Sequence, residues 1–300
     1  MLMKIKIAKI IFRIIPLSVR KIIVVILARL LYYLLLKHKL ISLHNLARAF
    51  PDKTPAEIIS IAKKSYVSFA IMIAEFPDII YLNMNNLKRW VSIDGLENYT
   101  AARREGKGVL LFGAHFGNWE MGNAALAITT SPFVFVYRIL DSPFMEEGIT
   151  YVRSSYGNVS LSKENTMRKM IRLLKQGATI SVLIDQNVAW YEGVFVNFFG
   201  REAATTAGLA LLALHTESAV LPAFTRRLPN GKYLLEIGKK VEIKSSGNRD
   251  VDVLINTQNF TRIVEDRIRE YPEQWLWIHQ RWKTKRCQEK RRINAVVAAR

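Results

Sequence analysis

The stretch His115-Phe-Gly-Asn-Trp-Glu120 places an imidazole and a carboxylate five residues apart. It follows the apolar run Gly108-Val-Leu-Leu-Phe-Gly113, which is typical of a buried strand, and a helical pattern begins at Asn118. In a continuous helix the two side chains would lie about 140° apart, and in a strand they would lie on opposite faces. They can converge only if the chain turns between them, and Gly117 permits such a turn. The pattern therefore predicts a strand–turn–helix in which an acid orients a histidine that acts as a general base.

The charge of the chain is concentrated at its two ends. Residues 1–51 contain ten Lys or Arg and no acidic residue, and residues 281–300 contain eight Lys or Arg and one acid, Glu289. These segments carry +10 and +7 of the formal net charge of +19, so the centre is close to neutral. Basic ends favour an anionic partner. Because apolar residues are interleaved with the N-terminal charges and no nucleic-acid motif occurs, we expect a membrane surface and no nucleic acid.

Several other site classes are excluded by what the sequence lacks. A single cysteine, Cys287, excludes an intrachain disulfide framework. No group of Cys and His residues has metal-ligand spacing, and neither a Walker A loop nor a GxGxxG motif is present. We therefore expect no metal and no bound cofactor.

The N-terminus consists of two segments separated by Pro16. In residues 1–15 the basic residues recur at helical spacing along one face, as in a helix that lies in a membrane interface. The second segment, Ile22–Leu36, is apolar except for Arg29 but is shorter than the roughly 20 residues that a spanning helix needs. We expect residues 1–39 to form an uncleaved membrane anchor, either interfacial or a single short span, whose deletion releases the protein from membranes. The alternative is an ordinary helix packed on the domain.

Beyond residue 40 predicted helices and strands alternate, which indicates an α/β fold with a mostly parallel central sheet flanked by helices. The helix that opens with Thr54-Pro55-Ala56-Glu57 has a capping box and proline at its first position. We predict helices over 54–75, 96–105, 118–127, 143–154, 165–176, 205–216 and 251–270, and strands over 109–112, 133–137, 179–184, 219–225, 233–237 and 241–243.

Polar residues follow several of the predicted strands. His115, Arg138, Asp185 and Arg226 each lie just past an apolar strand. In parallel sheets, binding sites gather at the carboxyl ends of the strands, so these residues predict one shared cleft. Asp185 and the adjacent Gln186 are assigned to this site, with a loop cap as the alternative for the carboxylate.

At these residues the chain resembles the bacterial lipid A biosynthesis acyltransferases of the late, Kdo-dependent type, within the wider lysophospholipid acyltransferase superfamily. The mark of that family is His, four residues, then Asp or Glu, and His115 with Glu120 matches it. The resemblance runs in order from about residue 40 to 286. Its other stretches are His44-Asn-Leu-Ala-Arg-Ala-Phe-Pro51, Gly177 through Asp185-Gln186, Phe198-Phe-Gly200 with Ala203-Ala-Thr-Thr-Ala-Gly208, and Pro272-Glu-Gln-Trp-Leu-Trp277 with Arg281-Trp-Lys-Thr-Lys285.

The resemblance implies a membrane-associated acyltransferase, with a catalytic domain over residues 40–286 between the anchor and a basic tail over 287–300. The implied reaction moves a fatty acyl chain from a thioester of acyl carrier protein or coenzyme A to a hydroxyl or hydroxyacyl group of an anionic glycolipid. A lipid A precursor is the leading acceptor, and the cytoplasmic face of the bacterial inner membrane is the implied location. A phosphatidylinositol mannoside or lysophospholipid acceptor, a thioester hydrolase and a non-catalytic membrane-binding protein are the alternatives.

The resemblance implies catalytic roles for residues of the His115–Glu120 stretch. His115 would remove the proton of the acceptor hydroxyl as its oxygen attacks the thioester carbonyl. Glu120 would accept a hydrogen bond from the other ring nitrogen and so fix the tautomer. Backbone N–H groups around Gly117 and Asn118 are candidate donors to the oxyanion.

The remaining assignments concern substrate binding. The resemblance implies a phosphate-contacting arginine in the segment of Arg153, and Arg138 is a second candidate because it directly follows a strand. Asp185, Gln186 and Asn118 complete the predicted contacts with the substrate. The other histidines, including His279, are interpreted as structural.

Overall fold

The computed structural model describes residues 14–162 and 166–286 of the chain. Its centre is a seven-stranded sheet in the order β1-β9-β8-β2-β5-β3-β4, and β6 pairs separately with β7 as an antiparallel hairpin. Strands β8, β2, β5, β3 and β4 run parallel to one another, while β9 and β1 run in the opposite direction. The predicted α/β class with a mostly parallel sheet is confirmed. The strands are β1 (Val91–Asp94), β2 (Val109–Gly113), β3 (Val134–Tyr137), β4 (Val159–Ser162), β5 (Thr179–Leu183), β6 (Gly193–Phe198), β7 (Arg201–Thr206), β8 (Ala219–Arg227) and β9 (Tyr233–Ile237).

Helices cover both faces of the sheet. The helix α3 begins with the predicted capping box, because the Thr54 hydroxyl accepts from the Glu57 amide while the Glu57 carboxylate accepts from the Thr54 amide. The helices of the described residues are α1 (Leu17–Leu34), α2 (Leu36–Ala49), α3 (Pro55–Glu75), α4 (Leu96–Arg104), α5 (Trp119–Thr129), α6 (Pro143–Ser154), α7 (Met167–Lys175), α8 (Gly208–Thr216) and α9 (Arg249–Glu270), with short 3-10 turns at Phe76–Tyr81, Leu87–Arg89 and Pro272–Gln274.

The strand β2 is buried along its whole length, and successive side chains belong alternately to two hydrophobic clusters, one on each face of the sheet. Leu110 and Phe112 belong to the cluster beneath α3, α7, α8 and α9, and Phe112 lies 5.1 Å from Phe260 between ring centroids. Val109 and Leu111 belong to the cluster beneath α4, α5 and α6. A strand covered on both faces can be apolar at every position, which explains the unbroken apolar run in the sequence.

One predicted helix begins too early, and one predicted strand is not formed. The helix predicted over 205–216 begins only at Gly208, because residues 201–206 pair with β6 as strand β7. The strand predicted over 241–243 is absent, although the Val241 amide donates to the Val220 carbonyl at 2.8 Å. The strands β1 and β4 were not predicted, since each has only four residues with mixed polarity.

Ion pairs and a hydrogen bond hold the helix α1 against α3 and the 3-10 turn that follows it. The Arg20 guanidinium donates to both oxygens of Asp78 at 2.7 Å and to the Ala74 carbonyl at 2.7 Å, and the Lys21 ammonium lies 2.7 Å from Glu75. The predicted boundary at residue 39 falls inside α2, so the helix of the predicted anchor continues directly into the next helix of the domain. Residues 1–13, with most of the predicted interfacial segment, and the tail 287–300 with Cys287 lie outside the described residues.

None of the helices within residues 14–162 and 166–286 combines the length and apolarity needed to cross a bilayer.

Candidate active site

The register between β2 and β5 brings His115 and Asp185 together. Gly113 at the end of β2 lies opposite Leu183 at the end of β5, so the residues two positions further along each chain are also opposite each other. The His115 Nδ1 atom lies 2.9 Å from the Asp185 Oδ1 atom. Two of the four residues predicted to share a cleft therefore form a direct hydrogen bond at the carboxyl edge of the sheet.

Asp185 is buried and accepts three hydrogen bonds. Its donors are the His115 ring at 2.9 Å, the His115 amide at 3.0 Å and the Trp275 indole at 2.7 Å. Burial by itself would raise the pKa of the Asp185 carboxyl, but the charge of His115 and the three hydrogen bonds outweigh it and lower the pKa to about 2. Asp185 is therefore ionised at neutral pH, and its carboxylate accepts a hydrogen bond from the N–H at Nδ1 of His115.

The other ring nitrogen of His115 faces the open side of the site. With Nδ1 donating to Asp185, Nε2 carries the lone pair, which is the form that a general base needs. The Gln186 Nε2 atom lies 3.3 Å from His115 Nε2, and the His115 side chain is 22% exposed. Gln186 thus occupies the position from which an acceptor hydroxyl would reach the base.

Glu120 does not hydrogen-bond to His115, which corrects the predicted pairing. Its carboxylate accepts from Arg153 Nε at 3.0 and 3.2 Å, from Arg153 Nη2 at 2.5 Å and from the Trp119 indole at 2.9 Å. The physical reason is that Asp185 approaches the ring from the neighbouring strand, while the first turn of α5 directs Glu120 toward α6. Trp119 contacts both residues, since its indole donates to Glu120 and its ring lies 5.0 Å from the imidazole of His115.

The Arg153 side chain is largely buried rather than on the surface. Its guanidinium carbon lies 4.4 Å from the Phe135 ring centroid and 5.1 Å from that of Tyr137, so two aromatic rings and Glu120 fix its position. A phosphate that binds Arg153 would have to share it with Glu120. Contact of Arg153 with the acceptor stays a prediction.

The turn between His115 and α5 depends on Gly117. Its φ is +58°, and a Cβ there would lie 1.8 Å from the Thr225 carbonyl oxygen. The Gly117 amide donates to the Gln274 carbonyl at 2.8 Å, and the Asn118 amide donates to the Thr225 carbonyl at 3.1 Å. Both amides predicted as oxyanion donors are therefore already engaged, which corrects that assignment.

Asn118 has a structural position. Its side-chain oxygen accepts from the Met121 amide at 3.0 Å and caps α5, while its amide group donates to Glu75 at 3.4 Å. The side chain is completely buried. The contact with substrate that was predicted for Asn118 would require this cap to open.

The other two residues predicted to share the cleft have ion-pair partners of their own. Arg138 is exposed and pairs with Asp141 at 3.0 Å. Arg226 lies within β8 and pairs with Glu236 at 2.8 Å. Neither side chain makes a hydrogen bond to His115 or Asp185 within the described parts of the chain.

Sequence reasoning missed two tryptophans. Trp275 lies in a stretch that was quoted for the family resemblance, but only the fold shows that its indole binds Asp185. Trp119 lies inside the motif itself and joins His115 to Glu120. His279 accepts from the Asn187 amide at 2.9 Å and so contacts the residue that follows Gln186, and its interpretation as structural stays a prediction.

Comparisons with known proteins show which proteins the chain is similar to. The chain is 29% identical over 242 residues to the lipid A biosynthesis lauroyltransferase of Escherichia coli strain K12, covering 80% of this chain and 78% of the relative. It is 24% identical over 243 residues to the phosphatidylinositol mannoside acyltransferase of Mycolicibacterium smegmatis, covering 79% and 77%. Among solved structures, the 1-acyl-sn-glycerophosphate acyltransferase PlsC from Thermotoga maritima matches with a TM-score of 0.39 and 13% identity, over 87% of this chain and 99% of that one.

The model of the bacterial lipid A biosynthesis acyltransferase family matches residues 5–284. The chain therefore belongs to the bacterial lipid A biosynthesis acyltransferase family and is an acyltransferase.

Proposed function

We propose that this enzyme moves a fatty acyl chain from a thioester of acyl carrier protein or coenzyme A to a hydroxyl or hydroxyacyl group of an anionic glycolipid, with a lipid A precursor as the leading acceptor. The observation that carries the proposal is the 2.9 Å hydrogen bond between His115 Nδ1 and the buried Asp185. It leaves the basic Nε2 atom on the open side of the site. The proposal replaces Glu120 by Asp185 as the partner of the base.

The proposed reaction needs no cofactor. His115 Nε2 takes the proton of the acceptor hydroxyl while the oxygen attacks the thioester carbonyl carbon. Asp185 stabilises the imidazolium that results. When the tetrahedral intermediate collapses, the carbon–sulfur bond breaks, and the proton passes from Nε2 to the departing thiolate. The products are an ester on the acceptor and a free thiol.

The exposed face of α1 supports association with a membrane. Arg20, Ala28 and Tyr32 are buried against the domain, whereas large apolar residues between them face outward. Ile22, Ile26, Leu30 and Leu34 are more than half exposed and recur every four residues. An apolar stripe of this kind on a helix that is fastened by its opposite side fits insertion into the bilayer interface. We place the enzyme on the cytoplasmic face of the bacterial inner membrane.

The acceptor and the competing hydrolase activity can be tested together. Mass spectrometry of total glycolipids from cells with and without this gene should show the loss of one acyl chain from a lipid A species. Loss from a mannosylated phosphatidylinositol would instead favour the second acceptor. With purified enzyme, labelled acyl thioester should transfer its label to lipid, and label found only in free fatty acid would identify a thioester hydrolase and refute the proposal.

A further inference from the structure

A groove of about 960 Å³ lies between α1, α3 and the hairpin that joins β8 to β9. His115 and Asp185 do not line it. Its inner wall includes Gln274, whose carbonyl accepts the hydrogen bond from the Gly117 amide. The groove is therefore separate from the catalytic pair but is one hydrogen bond away from the catalytic turn.

The polar lining of this groove is strongly basic. It holds five cations and one carboxylate: Arg29, Lys63, Lys64, Arg226, Arg227 and Glu273. Two of the cations have carboxylate partners outside the lining, since Arg226 pairs with Glu236 at 2.8 Å and Arg227 approaches Glu75 at 3.3 Å. Even with these partners counted, positive charge exceeds negative charge in the groove.

The unpaired cations come from the two helices. Arg29 on α1 and Lys64 on α3 make no ion pair with any carboxylate in the described part of the chain, and both are exposed. Lys63 packs beside the tyrosines of α1, with its nitrogen 5.3 Å from the Tyr33 ring centroid. These side chains are free to bind an anion without breaking an existing ion pair.

A buried hydroxyl gives an independent indication of a ligand. Tyr32 lines the groove and is 2% exposed, yet its hydroxyl has no hydrogen-bond partner among the described residues. A buried hydroxyl without a partner costs about 1–3 kcal/mol, so a bound acceptor atom would relieve that cost. A phosphate oxygen is such an acceptor, and the surrounding cations would bind it.

The position of the groove favours a phosphate that belongs to a lipid. Arg29 lies on the same helix as the outward-facing Ile26 and Leu30, which are 59% and 51% exposed. A phosphate held beside Arg29 would therefore lie beside the apolar face of α1. Acyl chains attached to that phosphate would follow this face, whereas free phosphate would gain nothing from it.

We propose that this groove binds the phosphate of an anionic phospholipid of the bilayer, at a site that is separate from the His115–Asp185 pair. The bound lipid would join α1 to α3 across the groove. The site does not depend on which acceptor the enzyme acylates.

Binding of short-chain lipids to the purified full chain tests this proposal. Dihexanoyl phosphatidylglycerol, below its micelle concentration, should bind saturably at one site, and dihexanoyl phosphatidylcholine and inorganic phosphate should each bind at least about tenfold more weakly. The variant pair Arg29→Gln and Lys64→Gln should weaken phosphatidylglycerol binding about tenfold or more. The matched pair Arg168→Gln and Lys169→Gln on α7 removes the same charges from an exposed helix and should change binding by less than about twofold.

Further variants distinguish a loss of lipid binding from a loss of folding or of catalysis. Tyr32→Phe keeps the packing of α1 and should still weaken phosphatidylglycerol binding, by about threefold to tenfold. Acyl transfer in neutral detergent should stay within about twofold for the variants at Arg29 and Lys64. The proposal is overturned if both pairs of charge variants lose phosphatidylglycerol binding equally, or if phosphatidylcholine or inorganic phosphate binds as tightly as phosphatidylglycerol. It is also overturned if the variants at Arg29 and Lys64 lose acyl transfer together with lipid binding, because the groove would then be part of the acceptor site.

Discussion

The substitution Asp185→Asn should abolish most acyl transfer while leaving the enzyme folded. The Asp185 Oδ2 atom accepts from the His115 amide and from Trp275, so the oxygen of an asparagine would take that place. Its NH2 group would then face His115 Nδ1 and force the ring to accept there, which moves the ring proton to Nε2. A histidine in that tautomer cannot take a proton from the acceptor, and the expected loss in kcat is about 10³- to 10⁴-fold.

The cost in stability can be estimated from the same geometry. The pKa of Asp185 falls from 3.8 to about 2 on folding, which corresponds to about 2 kcal/mol of stability at neutral pH. Asp185→Asn should therefore lower the free energy of unfolding by about 2 kcal/mol. Transfer of labelled acyl chains to glycolipid in detergent, with urea unfolding on the same samples, measures both quantities.

The control is a second buried carboxylate that lies outside the site. Asp252 accepts from the amide and hydroxyl of Ser246 at 2.8 and 2.7 Å. Asp252→Asn should lose stability but keep activity within about threefold. If Asp185→Asn keeps activity within about tenfold of wild type while it remains folded, the assignment of Asp185 as the partner of the base is refuted.

Three further predictions concern the surroundings of the pair. Glu120→Gln should lower acyl transfer by about 10- to 100-fold, less than Asp185→Asn, because it disturbs Arg153 and Trp119 but leaves the partner of Nδ1 in place; steady-state kinetics measures this. Gly117→Ala should destabilise the protein by about 2 kcal/mol or more, since the added Cβ meets the Thr225 carbonyl at 1.8 Å and φ is +58°; thermal unfolding measures this. The stability that Asp185 contributes should be constant above pH 3.8 and disappear as pH falls toward 2, because its pKa is lower in the folded state; unfolding of wild type and Asp185→Asn across this range measures this.

Each of these predictions has its own control. For Glu120, Arg153→Gln should cause the same loss and the double variant no greater loss, whereas additive losses would mean that the two residues act separately. For Gly117, Gly148→Ala in α6 should be neutral or stabilising, because no atom lies within 4 Å of its added Cβ. For Asp185, a stability difference that persists unchanged to pH 2 would contradict its assignment as the buried anion.

The elements that the sequence predicted well are those with strong local signals. The helix α6 and the strand β9 were predicted to the residue, and α3 was predicted from its capping box. These segments combine clear periodicity with defined start and stop signals. By contrast, β7 was not predicted, and its last two residues, Thr205 and Thr206, were assigned to the following helix. Its small residues carry no period-2 pattern, and only pairing with β6 makes it a strand.

The candidate site was only partly predictable for a different reason. Because His115 and Asp185 each follow an apolar strand, the sequence indicated that both lie at the same edge of the sheet. Whether they touch depends on which strands are neighbours and on the register between them. That information is not local, so the motif spacing favoured Glu120 instead. Trp275 shows the same limit, since it lies 90 residues beyond Asp185 and reaches it only in the folded chain.

The most direct test of the account is acyl transfer by purified His115→Gln. With labelled acyl thioester and a glycolipid acceptor, wild type should place the label on the lipid. The variant should be slower by about 10²- to 10⁴-fold while it remains folded, because the reaction has lost its base. Transfer by the folded variant at the rate of wild type would contradict the assignment of His115 as that base.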